Sequence, residues 1–187
     1  LYAGVASDWV KTKITVNGGG TLALNVGGTD EFTTGDVTAL LTGLGGSVSN
    51  NGLRAGSTLA FETTNASGGT FALADSLADT SGSGGGVIHL RKLGANTLIL
   101  SNANSYTGTT WVDAGTLRID GASLSTSAIH VSAGGSLGLA VESPLTAAAA
   151  TVSLGGSVLV TGTPTLASYT LLTASSITGT PVLATRS

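Results

Sequence analysis

The chain has 187 residues, enough for one domain or at most two small ones. Gly, Ser and Thr fill 80 positions and Asp, Glu, Lys and Arg only 9%, so hydroxyls and backbone amides must hydrate a surface that ordinary domains cover with roughly 25% charge. Seven basic residues and a net charge of −3 exclude a general nucleic-acid binder, 41% apolar residues exclude disorder, and the lack of cysteine excludes disulfides and thiolate chemistry.

The chain opens Leu1-Tyr2-Ala3 and contains no methionine, which reads as an internal or processed segment. No basic stretch leads into an apolar one, so no secretory signal is expected within it. Val16 to Val26 is the first strand-like run, a glycine corner followed by Leu22, Leu24 and Val26 alternating with Ala23 and Asn25. Alternation with period two means a strand with one buried face. Gly27 to Gly46 breaks the pattern, because Val37, Leu40, Leu41 and Leu44 have helical spacing. That spacing predicts one short helical insertion near 36–42, N-capped by Asp36 and stopped by Gly43 or Gly45. Leu53 to Phe61 repeats the corner and strand. Gly82 to Gly86 then reads as a flexible loop dividing irregular coils over 1–81 from regular ones over 87–187. In the second part the corner and strand recur at 93–100, 112–119, 131–141 and 152–160. Leu145 to Val160 is the most apolar stretch, but Thr, Ser and Gly interrupt it too often for it to enter a membrane.

The first core residue after each corner falls at Leu22, Leu59, Leu98, Leu117, Leu137 and Val158, with gaps of 37, 39, 19, 20 and 21. The first two gaps are close to twice the others, which predicts a period of about 20 with degenerate copies hidden in the N-terminal half. Two or three short strands per period, joined by glycine corners, predict an all-β fold: a parallel β-helix, or β-solenoid, with about 20 residues per coil. Coils stack about 4.8 Å apart, so nine of them make a rod on the order of 40 Å long. Each coil buries three or four Leu, Val or Ile at roughly 1.5–3 kcal/mol apiece, against about 1–2 kcal/mol for every backbone residue it orders. A lone coil is therefore unstable and its neighbours must supply the remaining burial. Leu98, Leu117, Leu137 and Val158 should form one buried column.

Within Leu90 to Ile119, the turn and strand Leu93-Gly94-Ala95-Asn96-Thr97-Leu98, the segment Asn104-Ser105-Tyr106-Thr107-Gly108 and the close Ala114-Gly115-Thr116-Leu117 resemble the autotransporter-associated β-strand repeat of bacterial surface and secreted proteins. Asn96 stands where that family usually has glycine, and Trp111 where it has a small or β-branched residue. The resemblance implies a β-solenoid passenger or stalk segment at the bacterial cell surface or outside the cell. It implies no activity, because the motif contains no catalytic residues.

Side chains able to do chemistry are few. His89 and His130 each lie between two apolar strand residues and should point outward, so neither is assigned a catalytic role. Asp113 and Asp120 beside Arg118 are too sparse for an acid/base pair. Asp30, Glu31 and Asp36 fall within seven residues, but calcium takes six to eight oxygens, and a solvated loop with a helix cap is the simpler reading. No metal or cofactor is expected. Aligning the corners places Lys92, Trp111, His130 and Thr151 at equivalent outward positions, and His89 replaces Lys92 if Leu90 rather than Leu93 matches Val112. Lys92, Trp111 and His130, with Tyr106 covering the sheet beside them, form a candidate interaction stripe, where the indole can take a cation–π contact or stack on a sugar.

Two functions follow. The first is a structural surface module, a stalk, passenger segment or self-assembling fibre subunit without enzymatic activity. The second is a carbohydrate-binding or polysaccharide-cleaving β-helix. Sheet ends expose unpaired backbone, and Leu1 to Val5 and Thr180 to Ala184 carry no charge. The expected partner is another copy bound head to tail through the terminal strands, or further repeats of a longer chain, with surface glycans as a further candidate.

Overall fold

The computed structural model describes residues 10, 12–45, 51–121, 123–163 and 168–185. The N-terminal stretch Leu1 to Val5, expected to take part in self-association, lies outside them. Along the chain, β1 (Thr15–Val16) and β2 (Thr21–Asn25) precede α1 (Thr34–Gly45), and β3 (Gly52–Leu53), β4 (Ser57–Glu62) and β5 (Thr70–Leu73) follow. Next come β6 (Ile88–Leu93), β7 (Thr97–Leu100), β8 (Thr109–Val112), β9 (Gly115–Ile119) and β10 (Ala128–Val131). The chain ends with β11 (Gly135–Ala140), β12 (Leu145–Leu154), β13 (Ser157–Thr161), β14 (Leu172–Gly179) and β15 (Val182–Thr185).

The even-numbered strands from β2 to β14 form a seven-stranded sheet, the odd-numbered strands from β5 to β15 a six-stranded one, and β1 pairs with β3. Each pairing in the two large sheets is parallel and joins a strand to its equivalent in the next coil. A thinner third side is held by single backbone bonds, from Asn104 N–H to the Ser123 carbonyl (3.1 Å), Leu124 to Thr146 (3.0 Å) and Leu145 to Leu171 (2.9 Å). This is a parallel β-solenoid with one helical insertion. The β4–β6 and β5–β7 ladders both run across the Gly82–Gly86 loop, whose neck is tied by Thr80 N–H to the Gly86 carbonyl and Gly86 N–H to the Thr80 hydroxyl.

Phe71, Leu98, Leu117, Leu137, Val158 and Leu183 pair in register as a single ladder, and Leu98, Leu117 and Leu137 are fully buried. Leu22 and Leu59 do not belong to it. They pair with each other and with Leu90 in the opposite sheet, so the N-terminal gaps compare strands on different faces. Followed within the seven-stranded sheet, the ladder Leu22, Leu59, Leu90, Thr110, Ile129, Val152, Ile177 gives coils of 37, 31, 20, 19, 23 and 25 residues. The long coils hold insertions rather than degenerate copies. Seven stacked strands span roughly 30 Å, shorter than the nine coils the period predicts.

The first insertion is α1, and it is longer than the 36–42 that spacing predicts. Its cap is also one turn earlier: Thr33, not Asp36, is the N-cap. Asp36 N–H donates to the Thr33 hydroxyl (3.2 Å), and the Asp36 carboxylate accepts from the Thr33 N–H (2.9 Å) and hydroxyl (2.6 Å), a reciprocal capping box. Those bonds from Thr33 hold the Asp36 carboxyl below its ordinary pKa. Val37, Leu40 and Leu44 are buried, and α1 packs on β3 and β5. It follows β2 as β5 follows β4, so it fills the first coil's place on the six-stranded face. The Thr34 hydroxyl donates to the Ala72 carbonyl on the edge of β5 (3.4 Å), and the Thr38 hydroxyl to the Asp75 carboxylate. A helix laid over the first strand in this way protects a sheet edge.

Corners are tight enough to demand glycine at Gly115, which has φ +62° and opens β9. A Cβ there would sit 2.5 Å from the carbonyl oxygens of Asn96 and Gly94.

Two stability outcomes follow from this packing. Leu117→Ala should cost about 2–5 kcal/mol, and Leu117→Asp more, because its carboxylate has no partner in the column; urea unfolding that leaves Leu117→Asp level with the parent would remove the column. Thr33→Ala, which breaks the capping box, should cost about 1 kcal/mol in the same assay.

Candidate functional site

Strand alternation sorts the side chains of the central coils. Ile88, Leu90 and Lys92 of β6, Thr110 and Val112 of β8, and Ile129 and Val131 of β10 are buried, whereas His89, Arg91, Trp111 and His130 face outward. Register places Arg91 beside Trp111, Trp111 beside His130, and His130 beside Ser153. The Arg91 guanidinium carbon lies 5.9 Å from the indole centroid, and Arg91 Nε donates to the Asp113 carboxylate. The His130 ring is 6.5 Å from the indole at 21°, and the His89 ring 5.4 Å at 46°. Trp111 and His130 therefore stand in the expected stripe, with Arg91 as the third member.

Lys92 and Tyr106 do not. Lys92 pairs with Val112, one position off the corner alignment, because β6 continues to Leu93 before the chain turns. It stands in the inward column Leu24, Phe61, Lys92, Val112, Val131, Leu154 and is 0% exposed. Its stem lies among apolar side chains, and Nζ donates to the carbonyls of Leu93 (2.7 Å), Gly94 (2.8 Å) and Ala114 (3.0 Å). All three ammonium protons are thereby satisfied, and one corner is tied to the next. Burial pushes the Lys92 pKa down to about 8, and the Glu62 charge offsets part of that. His89 does not replace Lys92 in the row either, and Thr151 pairs with Ala128 rather than meeting His130.

Tyr106 is fully buried, so it covers no outer face. Its hydroxyl bonds Thr110 Oγ1 (2.7 Å), which bonds Thr126 Oγ1 (3.0 Å), and Thr126 donates to the Gly108 carbonyl. Burial raises the Tyr106 pKa well above its ordinary value.

Other polar groups also join coils. Asn96 donates to the carbonyls of Thr64 (2.9 Å) and Ala66 (3.3 Å), two backbone acceptors of the preceding coil. Asp79 accepts from Ile88 N–H (3.1 Å) and from the Thr107 N–H (3.0 Å) and hydroxyl (2.6 Å). Burial alone would raise the Asp79 carboxyl, but these bonds outweigh it and the pKa is lowered. Asn104 is buried and accepts from Leu77 N–H (2.9 Å). Sequence reasoning passed over Asp79 and the role of Asn96, whose partners lie about 30 residues away.

The acidic segment that suggested calcium is engaged internally. Glu31 accepts from Gly28 N–H (3.0 Å) and Asn65 Nδ2 (2.8 Å), Asp36 caps α1, and Asp30 holds a left-handed turn at φ +58°. Among the described residues no three of His, Asp and Glu converge on one point. Arg118 takes Asp120 in a two-pronged pair (2.8 and 2.7 Å), leaving Asp113 to Arg91. His89 Nδ1 accepts the Thr109 N–H (2.8 Å), and neither histidine bonds a serine or threonine hydroxyl among the described residues.

These features define a stacked β-solenoid whose buried polar groups fasten coil to coil, with one aromatic and basic row on its outer face. Residues 90–119, 30 of the 187, match the family model of the passenger-associated-transport-repeat, a structural repeat of autotransporter passenger domains. The match runs from β6 to the end of β9 and includes Lys92, Asn96, Asn104, Tyr106 and Gly115. No curated protein and no solved structure matches the chain.

The buried lysine and tyrosine make stability depend on pH with opposite signs. Folded Lys92 titrates near 8, below the unfolded value of about 10.4, so between these the unfolded chain binds more protons and stability rises with pH. Above about 10 the unfolded tyrosine ionises while Tyr106 stays protonated, and stability falls again. Urea unfolding from pH 7.5 to 11 should show a gain on the order of 2 kcal/mol that turns over near 10, and Lys92→Met should lose the rise.

Proposed function

We propose that the chain is a structural segment of a secreted or cell-surface bacterial passenger protein, a stalk or fibre-forming stack of coils without catalytic activity. The observation that carries this reading is the use of the buried polar groups: Lys92, Asn96, Asp79 and Thr126 all bond across coils, and none lines a cleft. The passenger repeat at 90–119 supports the cell-surface setting. Engagement of Asp113 and Asp120 by arginines supports a structural role over polysaccharide cleavage, which needs free carboxylates on one face.

The two ends of the stack differ. At the N-terminal side α1 covers the edge of β5, whereas β14 and β15 present Ile177 (50% exposed), Val182 (69%) and Leu183 (66%). Leu183 continues the leucine ladder and Ile177 the opposite one, so this end has the register and apolar surface to receive a further coil, from a longer chain or a second copy. Sedimentation with negative-stain microscopy tests the self-assembling form. Association should grow with concentration and fall when Val182 and Leu183 are both replaced by Lys. A single monomeric species up to about 100 μM would restrict the segment to stacking within a longer chain.

A further inference from the structure

We propose that the outward row Arg91–Trp111–His130, with His89 beside it, is a binding site for an acidic polysaccharide lying along the solenoid axis. The proposal is independent of the stalk reading. Both histidines of the chain and the single tryptophan among the described residues meet on this one face, in a protein with only 9% charged residues. Tryptophan and arginine are the side chains most enriched where binding energy concentrates.

The geometry decides what kind of sugar fits. Arg91 stands on one side of the indole and His130 on the other, in adjacent strands, so the ring faces are turned toward protein neighbours. Stacking of a sugar flat on the indole, which the sequence suggested, has no open face to use. What the row turns to solvent is donors. Arg91 engages Asp113 through Nε, and its two terminal nitrogens make no hydrogen bond among the described residues. Because His89 Nδ1 accepts the Thr109 N–H, the proton of the neutral ring is on Nε2. Trp111 Nε1 and the exposed His130 ring have no hydrogen-bond partner among the described residues. Asp113 is already shared between Arg91 and the Ser132 hydroxyl (3.4 Å).

The result is a short comb of N–H donors, one residue per strand at about 4.8 Å intervals. Exposed Ser153 and Thr178 continue it along the same ladder. Donors in such a line match a chain of carboxylate-bearing sugars, with the guanidinium taking carboxylate oxygens and the hydroxyl-bearing strands taking sugar hydroxyls. A single arginine is too little for nucleic acid, whose binding rests on many phosphate contacts.

Isothermal titration of the full chain with polygalacturonate, in about 50 mM salt to limit screening, tests this, with neutral dextran as the control polymer. Saturable binding to polygalacturonate is expected, weakened about tenfold or more by Arg91→Gln and by Trp111→Ala. Arg118→Gln, which removes an arginine from the other large sheet, should leave it unchanged. Ser153→Arg adds a guanidinium next to His130 and should tighten binding severalfold, a gain that loss of folding cannot imitate. No saturable binding by the parent chain, equal binding of dextran, or equal loss in Arg118→Gln would overturn the proposal.

Discussion

The inter-coil backbone ladder is the constraint on which everything else depends. Strands of four to six residues, such as β7, β8 and β10, make no ladder within their own coil, so their N–H and C=O groups are satisfied only by the coils above and below. Laying one coil on another in register also stacks Leu98 on Leu117 and Leu117 on Leu137, so backbone pairing and apolar burial arise together. Neither contribution can form without the other. This is why the regular coils settle at 19 or 20 residues, while the longer coils place their extra residues in α1 and the loop before β6.

Because successive corners approach so closely, their carbonyls cannot all reach water, and buried polar side chains answer them. Lys92 serves Leu93, Gly94 and Ala114, Asn96 serves Thr64 and Ala66, and Thr126 serves Gly108 and Ala128. An ammonium is expensive to bury, but its three protons meet three carbonyls, and no carbonyl there is left to an apolar neighbour. The same crowding excludes a Cβ at Gly115. The conspicuous polar positions of the matched repeat thus have a mechanical reason within the fold.

The outer faces are free of that constraint, and the chain spends its few functional side chains there. Most outward positions on the C-terminal coils are Ser, Thr or Ala, whereas β6, β8 and β10 set arginine, tryptophan and histidine in one row. A solenoid makes such a row easily, since equivalent positions of successive coils are adjacent in space although about 20 residues apart in sequence.

Fold class, period and the column from Leu98 to Val158 were legible in the sequence, because they rest on alternation within a few residues and on a repeat length that needs no partner to be recognised. The helix was legible in its apolar spacing, but its cap was not, since Thr33 and Asp36 both suit that role until the backbone bonds are seen. Which sheet a strand joins could not be read: Leu22 and Leu98 follow similar corners, and alternation is the same on either face. The stripe was half legible. Trp111 and His130 followed from the regular coils, but Arg91 and Lys92 exchange places on a one-residue shift, and in a strand such a shift turns a side chain from solvent into the core. Where β6 stops is decided by pairing with β4 and β8 and by the three carbonyls waiting for an ammonium, and those come together only in the tertiary structure.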